Sequence, residues 1–241
     1  KILRGGAGFV ISIIVARYLG PNNFGILNFL LAIVAIFYIF SSLGLNPIIV
    51  KKIVETPGKT IKILNTSLIL KLTAGIFSYF FFLLTIAIIR PENSSFFLYS
   101  LIIGFTLILK SSEIFFCYFE SKLLSKFIVL SQSFGLFILI IFQLILVSKK
   151  LPLIYFFWSY LIEVAVTTLL IMFFYFNKNA VFNLFKFNFS LSKNLLRKSW
   201  PILFSGIGII IYMRIDQIML GQMLNSEAVG VYSAAIKLSE I

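Results

Sequence analysis

Ionisable side chains inside long apolar stretches are the residues of this sequence with the clearest chemical potential. A charged group is costly in hydrocarbon unless it faces a cavity or a partner, so each one marks a candidate functional position. The basic members of this set could bind anions such as phosphate, and the acidic members could bind a proton or a cation. The set consists of Lys71, Lys110, Glu113, Glu163, Arg214 and Asp216.

The first three of these residues leave two interpretations open. Lys110 and Glu113 are three residues apart, so on a helix they share a face and could pair. That arrangement fits either a structural ion pair or a pair of lumen residues. Lys71 lies about one-third of the way into its apolar stretch, where it could snorkel to the interface or face a lumen.

Glu163 lies nearest the middle of its apolar stretch, and Tyr160 and Thr167 fall on the same helical face. This polar stripe should face the interior of a helix bundle. We expect Glu163 to bind a proton or contact a substrate hydroxyl. The alternative is a carboxyl group that burial keeps neutral and that bonds to a neighbouring helix.

Arg214 and Asp216 are two residues apart, so they point in different directions and a direct pair is not expected. The planar guanidinium of Arg214 suits a pyrophosphate, and we expect this side chain to face a lumen. For Asp216, a structural bond to a neighbouring hairpin and a role in ion coupling remain open.

These residues lie in four of the seven apolar stretches of the chain, most of which reach the ~20 residues that a membrane-spanning helix needs. An eighth begins near Val229, and 60% of the 241 residues are hydrophobic. The chain starts at Lys1 and ends at Ile241 inside an apparent helix, so we expect a fragment of a longer protein. The seven stretches cover residues 5–19, 25–50, 63–89, 96–119, 127–147, 153–176 and 200–224.

Composition excludes several kinds of chemistry. Histidine is absent, and the single cysteine, Cys117, cannot form an internal disulfide or a thiolate metal cluster. The sequence contains no Walker loop and no dinucleotide fingerprint, so we expect no cofactor and no metal. The net charge of +13 raises the question of nucleic acid, but most basic residues lie in short loops between apolar stretches. We therefore expect no nucleic-acid partner.

The basic loops alternate between a rich and a poor side, as a spanning topology predicts. One side carries thirteen basic residues and the other carries four, namely Arg17, Arg90, Lys149 and Lys150. The positive-inside rule places the rich side, with the N-terminus, in the cytoplasm. The stretch 181–199, in which basic residues alternate with aromatics, is then expected to lie against anionic lipid at the cytoplasmic surface.

A repeated hairpin near the two ends of the chain indicates two similar halves. Gly20, Pro21 and Gly25 join the first two stretches, and Gly221 and Gly230 join the last two. These residue types provide the backbone freedom and the fixed φ of a tight turn, and a substrate contact at the outer mouth is the alternative role. Topology gives both hairpins the same orientation, as parallel repeats require.

The predicted fold is an all-α integral membrane protein with the two-lobe, parallel-repeat bundle of a transporter. Residues 1–176 form a six-helix N-terminal lobe, residues 177–199 form a cytoplasmic linker, and residues 200–241 begin a C-terminal lobe with its first one to two helices. Short strings near both hairpins occur in a fixed order. They are Ala16-Arg17-Tyr18-Leu19-Gly20-Pro21, Phe24-Gly25, Leu43-Gly44-Leu45, Ser199-Trp200-Pro201, Asp216-Gln217-Ile218-Met219-Leu220-Gly221 and Gly230-Val231-Tyr232-Ser233-Ala234-Ala235.

With these strings the chain resembles the bacterial polysaccharide (O-antigen type) flippases of the multidrug/oligosaccharidyl-lipid/polysaccharide exporter superfamily. The resemblance implies a multi-pass protein of the bacterial inner membrane that moves undecaprenyl-pyrophosphate-linked oligosaccharide to the periplasmic leaflet and has no enzymatic activity. It implies lipid-linked oligosaccharide, membrane lipids and other polysaccharide assembly proteins as partners. A multidrug or peptidoglycan-precursor exporter of the same fold is the nearest alternative. A membrane glycan polymerase or ligase is a further one, although the short outer loops count against it.

Overall fold

A computed structural model describes residues 2–89, 94–178 and 187–239, and within these ranges every regular element is a helix. Two short 3₁₀ turns occupy Pro57–Lys59 and Lys110–Glu113. The α-helices are α1 (Ile2–Ser42), α2 (Asn46–Glu55), α3 (Thr60–Ile89), α4 (Ser94–Gly104), α5 (Thr106–Leu109), α6 (Ile114–Ser121), α7 (Ser125–Ser148), α8 (Ile154–Lys178), α9 (Phe189–Met223) and α10 (Ser226–Ser239).

Helix α1 is broken at Gly20, where the backbone has φ 70° and ψ 171°. L-residues rarely adopt a positive φ, so glycine is the residue that permits this break. Pro21 follows, and its fixed φ favours the first position of a new helix. The two arms of α1, residues 2–19 and 21–42, correspond to the first two predicted stretches.

Six helices of the described chain are long and apolar enough to cross a membrane. The first candidate, Gly8–Glu55, has 48 residues and contains the Gly20 break, so its length suffices for two crossings of ~20 residues each. Large apolar side chains on α3, α7 and α8 are exposed, as expected of surfaces that face lipid. Examples are Phe77, Phe80, Phe137, Leu169 and Phe173. The chain is therefore a multi-pass membrane protein.

The second predicted stretch ends earlier than expected. We predicted a continuous segment over residues 25–50, but the helix stops at Ser42 and the chain turns through Leu43 and Gly44, both at positive φ. Pro47 then lies in the first turn of α2, a position where its missing N–H leaves no gap in the hydrogen bonding. The prediction of a single helix across this turn was wrong because the apolar composition continues through it.

The predicted span over residues 96–119 is also interrupted. It consists of α4, α5, the 3₁₀ turn Lys110–Glu113 and α6. A 3₁₀ turn inside a spanning segment tightens the helix and brings residues i and i+3 into line. Lys110 and Glu113 of the candidate set are the first and last residues of this turn, so the turn sets the direction of both side chains.

Helix α9 begins at Phe189 rather than at the predicted position 200. The side-chain oxygen of Asn188 accepts a hydrogen bond from the Leu191 N–H and caps the helix. Leu195 is buried against the first lobe, and Pro201 is accommodated inside the helix. The predicted linker 177–199 is thus helical from Phe189 onward, while residues 179–186 lie outside the described residues.

Two apolar clusters fill the bundle, and polar residues of the candidate set lie between them. On α3, Leu68 belongs to one cluster and Phe82 to the other, with Lys71 in between. Glu113 and Glu163 have the same intermediate position on their own helices. The first cluster includes Leu27, Leu30, Ile33, Phe82, Ile86, Leu107, Phe156 and Phe157, and the second includes Leu45, Ile49, Ile63, Leu68, Ile114, Phe115, Ile171 and Tyr175.

Candidate functional site: a polar network between the apolar clusters

Five side chains from α1, α2, α3 and the 3₁₀ turn converge in the layer between the clusters. The Lys71 Nζ donates to Asn46 Oδ1 at 2.5 Å and lies 3.6 Å from Glu113 Oε2. The same carboxylate oxygen accepts hydrogen bonds from the Tyr38 hydroxyl at 2.6 Å and from Asn46 Nδ2 at 3.3 Å. We call Tyr38, Asn46, Lys71, Lys110 and Glu113 the polar network.

Local backbone features bring these side chains together. The turn through Gly44 places Asn46 at the start of α2, directed at α3. Gly75 lies one turn beyond Lys71 on α3, and a Cβ there would lie 3.0 Å from the carbonyl oxygen of Leu107. A glycine here avoids this tight contact between α3 and α5, which brings Lys71 close to the 3₁₀ turn.

The network carries one more positive than negative charge. Lys71 has 1% of its side chain exposed and is paired with Glu113, which is 18% exposed. The Lys110 Nζ instead lies 4.2 Å from the centroid of the Tyr38 ring, a cation–π contact. Among the described residues, no carboxylate lies within ion-pair distance of Lys110.

This arrangement differs from the expected one in two respects. Lys110 and Glu113 do share a face, but both contact Tyr38 and Glu113 pairs with Lys71 instead of Lys110. Lys71 does not snorkel to an interface, because its ammonium group is buried in the bundle and bonded there. A buried ammonium group needs hydrogen-bond acceptors or a counter-ion beside it. Here these are Glu113 and Asn46, and the Asn46 contact from α2 was not predicted from the sequence.

Glu163 lies on α8 and is half-buried. Gly135 of α7 packs against Thr167 and the Glu163 backbone carbonyl so closely that a Cβ would overlap the Thr167 hydroxyl. The polar stripe of α8 is therefore at a close α7–α8 contact. About two turns further along α7, Gln143 donates to Ser159 of α8 at 3.4 Å.

The two charged residues of α9 have different environments. The Tyr232 hydroxyl of α10 donates to Asp216 Oδ2 at 2.5 Å, so Asp216 is bonded within the second hairpin. Arg214 is half-buried and has no hydrogen bond or ion pair with any residue that the structure describes. Its guanidinium is thus available to a ligand. In the described part of the chain, no three His, Cys, Asp or Glu side chains are grouped as a metal site would require.

The two repeated hairpins contact each other through bare backbone. A Cβ on Gly25 would overlap the carbonyl oxygen of Ser226, and a Cβ on Gly230 would overlap that of Pro21. Gly221 of α9 packs in the same way against the Phe29 ring of α1. The glycines of each hairpin therefore allow the backbone of the other hairpin to pack directly against them. Arg17, which precedes the first hairpin, is exposed.

An apolar groove of about 570 Å³ lies between α1, α3 and α9. Four phenylalanine rings contribute to its lining, and Leu196 is the lining residue from α9. Its aromatic lining consists of Phe37, Phe40, Phe77 and Phe81. The groove could hold a hydrocarbon chain or another apolar molecule.

Tyr38 and Asn46 are the network members that sequence reasoning missed. Each lies near a helix end in an otherwise apolar stretch. A single tyrosine or asparagine in such a position is only weak evidence for a functional site. The stronger signal was Lys71, because a buried lysine requires acceptor groups nearby. Searching for an amide or carboxylate at the ends of neighbouring helices would have pointed to Asn46.

The comparisons with known proteins agree with this architecture. A solved structure described as the inward-facing conformation of a multidrug resistance MATE family transporter of the MOP superfamily is similar, with a TM-score of 0.74 and 15% identity. The match covers 98% of this chain and 58% of that chain, so this chain spans somewhat more than half of that transporter's length. At this identity the match shows the fold alone, and it confirms the predicted fold class.

No curated protein matches the chain. The family model described as polysaccharide biosynthesis protein, however, matches residues 1–241. Since this match runs along the whole sequence, it confirms the resemblance that the hairpin strings indicated, and the chain belongs to the polysaccharide biosynthesis protein family.

Proposed function

We propose that the full-length protein flips a lipid-linked oligosaccharide, with an undecaprenyl-pyrophosphate anchor, from the cytoplasmic to the periplasmic leaflet of the bacterial inner membrane. The observation that carries this proposal is the excess positive charge of the polar network, in a chain of a polysaccharide biosynthesis family. A site of this charge, placed between the apolar clusters of a spanning bundle, suits an anionic head group. The transport step itself requires no bond to be made or broken.

In this proposal Arg214 is the main basic contact of the pyrophosphate. Its planar fork can bind two phosphate oxygens, and it has no partner among the described residues. Lys110 is the second basic contact, because its ammonium group lies over the Tyr38 ring and has no carboxylate partner among the described residues. Glu163 and Asp216 are the candidates for coupling to an ion gradient, and other polysaccharide assembly proteins supply and receive the substrate.

Complementation tests this proposal. The native full-length reading frame should restore surface polysaccharide in a flippase-deficient strain, and Arg214→Ala should lower that activity roughly 10-fold or more, since hydrogen bonds to charged groups contribute about 1.5–3 kcal/mol. Glu163→Gln should lower it if the carboxyl group couples transport. Arg197→Ala, an exposed arginine on the same helix, is the matched control and should leave activity unchanged. Equal activity of Arg214→Ala and wild type at equal membrane levels would refute the assigned role.

A cytoplasmic N-terminus is part of the proposal, and it is supported by the asymmetry of loop charge. Cys117 is the single cysteine and is buried, so a Cys117→Ser background permits single-cysteine labelling. With a membrane-impermeant maleimide on intact spheroplasts, we expect Lys149→Cys to react and Lys122→Cys to react only after permeabilisation. The reverse pattern would invert the topology, because the positive-inside rule would then not hold for this chain.

The apolar groove supports a second candidate, a multidrug exporter of the same fold. Such a protein would confer drug resistance and would fail to restore surface polysaccharide in any glycan background. Drug exporters favour apolar pockets with acidic groups, whereas the polar network here has a net positive charge. That contrast makes the anionic substrate the better-supported of the two.

A further inference from the structure

A second basic site lies away from the polar network, where the start of α9 faces the start of α3. It is a pocket of about 240 Å³ that includes the turn between α2 and α3. Three lysines and several neutral hydrogen-bonding groups line it. The polar lining residues are Lys52, Thr56, Lys59, Lys62, Asn188, Ser190 and Asn194.

The pocket has uncompensated positive charge. Lys52 lies 3.6 Å from Glu55, but Lys59 and Lys62 have no ion pair with the residues that the structure describes. The side-chain oxygen of Asn188 is occupied by the α9 cap, so its amide group is left to donate. Three ammonium groups and an amide donor around one small space form an anion site.

Exposed apolar side chains lie next to lining residues of this anion site in the sequence. Phe187 and Phe189 flank Asn188 in sequence and are 43% and 75% exposed, and Val54 and Ile61 are exposed beside the lysines. A site for a soluble anion needs no such neighbours. A basic pocket with exposed apolar residues beside it, at the end of membrane-spanning helices, matches a lipid whose phosphate is charged and whose chains are apolar.

The size of the pocket also limits the ligand. Pockets for drug-sized molecules measure ~300–1,000 Å³, so this smaller pocket suits a single small headgroup. We propose that this pocket binds the phosphate headgroup of an anionic membrane phospholipid through Lys59 and Lys62, with Lys52 beside them. Because α9 leads into the second lobe, the bound lipid would join the two lobes at this end.

The test titrates purified full-length protein in detergent with dioleoylphosphatidylglycerol, dioleoylphosphatidylcholine or glycerol 3-phosphate and follows the Tm. We expect the Tm to rise with phosphatidylglycerol only. Lys59→Gln/Lys62→Gln should need roughly 10- to 30-fold more of this lipid for half the effect, since each lysine near an anionic lipid contributes about fivefold. Lys51→Gln/Lys122→Gln, which removes equal charge outside the pocket, is the matched control and should respond as wild type.

Three outcomes would overturn the proposal. An equal loss in both double variants would show general surface attraction. An equal rise with phosphatidylcholine would show that the phosphate charge is irrelevant, and an equal rise with glycerol 3-phosphate would show a soluble-anion site. Should the pocket variant not be produced, single Lys62→Gln provides the same comparison with an expected shift of about fivefold.

Discussion

Gly25→Ala and Gly230→Ala should each abolish restoration of surface polysaccharide and lower the Tm of the full-length protein. In each case the new methyl group meets a backbone carbonyl, of Ser226 or Pro21, rather than a side chain that could rotate away. The helices must therefore separate, and overpacking of this kind costs about 1–3 kcal/mol or more. Complementation together with thermal unfolding in detergent measures both effects.

The control for these variants is Gly8→Ala. Gly8 lies on the same helix as Gly25, but a Cβ there meets nothing within 4 Å. Its Tm should be unchanged or slightly higher, because alanine favours a helix more than glycine does by about 1 kcal/mol. If Gly25→Ala unfolded at the same temperature as Gly8→Ala and kept full activity, the backbone contact between the hairpins would have no importance.

Lys71→Met should be the most destabilising single change in the first lobe. It leaves the Glu113 carboxylate in the bundle without its ammonium partner, and breaking a buried pair in this way costs about 3–5 kcal/mol. For a chain of this size we expect a Tm lower by roughly 6–20 °C. The double variant Lys71→Met/Glu113→Gln removes both charges and should recover most of the loss.

The exposed pair Lys51–Glu55 provides the comparison. Its side chains are 73% and 44% exposed and 3.9 Å apart, so Lys51→Met should cost about 0–1 kcal/mol. A double variant at Lys71 and Glu113 whose loss equals the sum of the single losses would contradict the coupling. An unchanged Tm for Lys71→Met would show that the lysine is not buried as charged in the full-length protein.

The spans and the breaks between them were largely predictable, because hydropathy reports directly on which segments can lie in lipid. Gly20 with Pro21 marked the first break correctly, since both residue types have strong local backbone preferences. The end of α1 at Ser42 and the start of α9 at Phe189 were missed. At Ser42 the apolar composition continues through the turn that ends α1. At the start of α9, basic residues and a proline occur within the helix.

The polar network was predictable only in part. Its charged members were identified from their cost in hydrocarbon, which is a property of each residue alone. Their pairing was not, because Lys71 and Glu113 are brought together by the turn at Gly44 and the close helix contact at Gly75. Sequence spacing favoured a local pair of Lys110 with Glu113. In the structure Glu113 pairs instead with Lys71, which is more deeply buried.

The hairpin contact also has an entropic consequence. Glycine and proline lose no side-chain rotamers when they are buried, so forming this contact immobilises very few rotatable bonds. Separating the hairpins would release correspondingly little side-chain freedom at these glycines and the proline. The glycines thus join the two hairpins at a small cost in side-chain entropy.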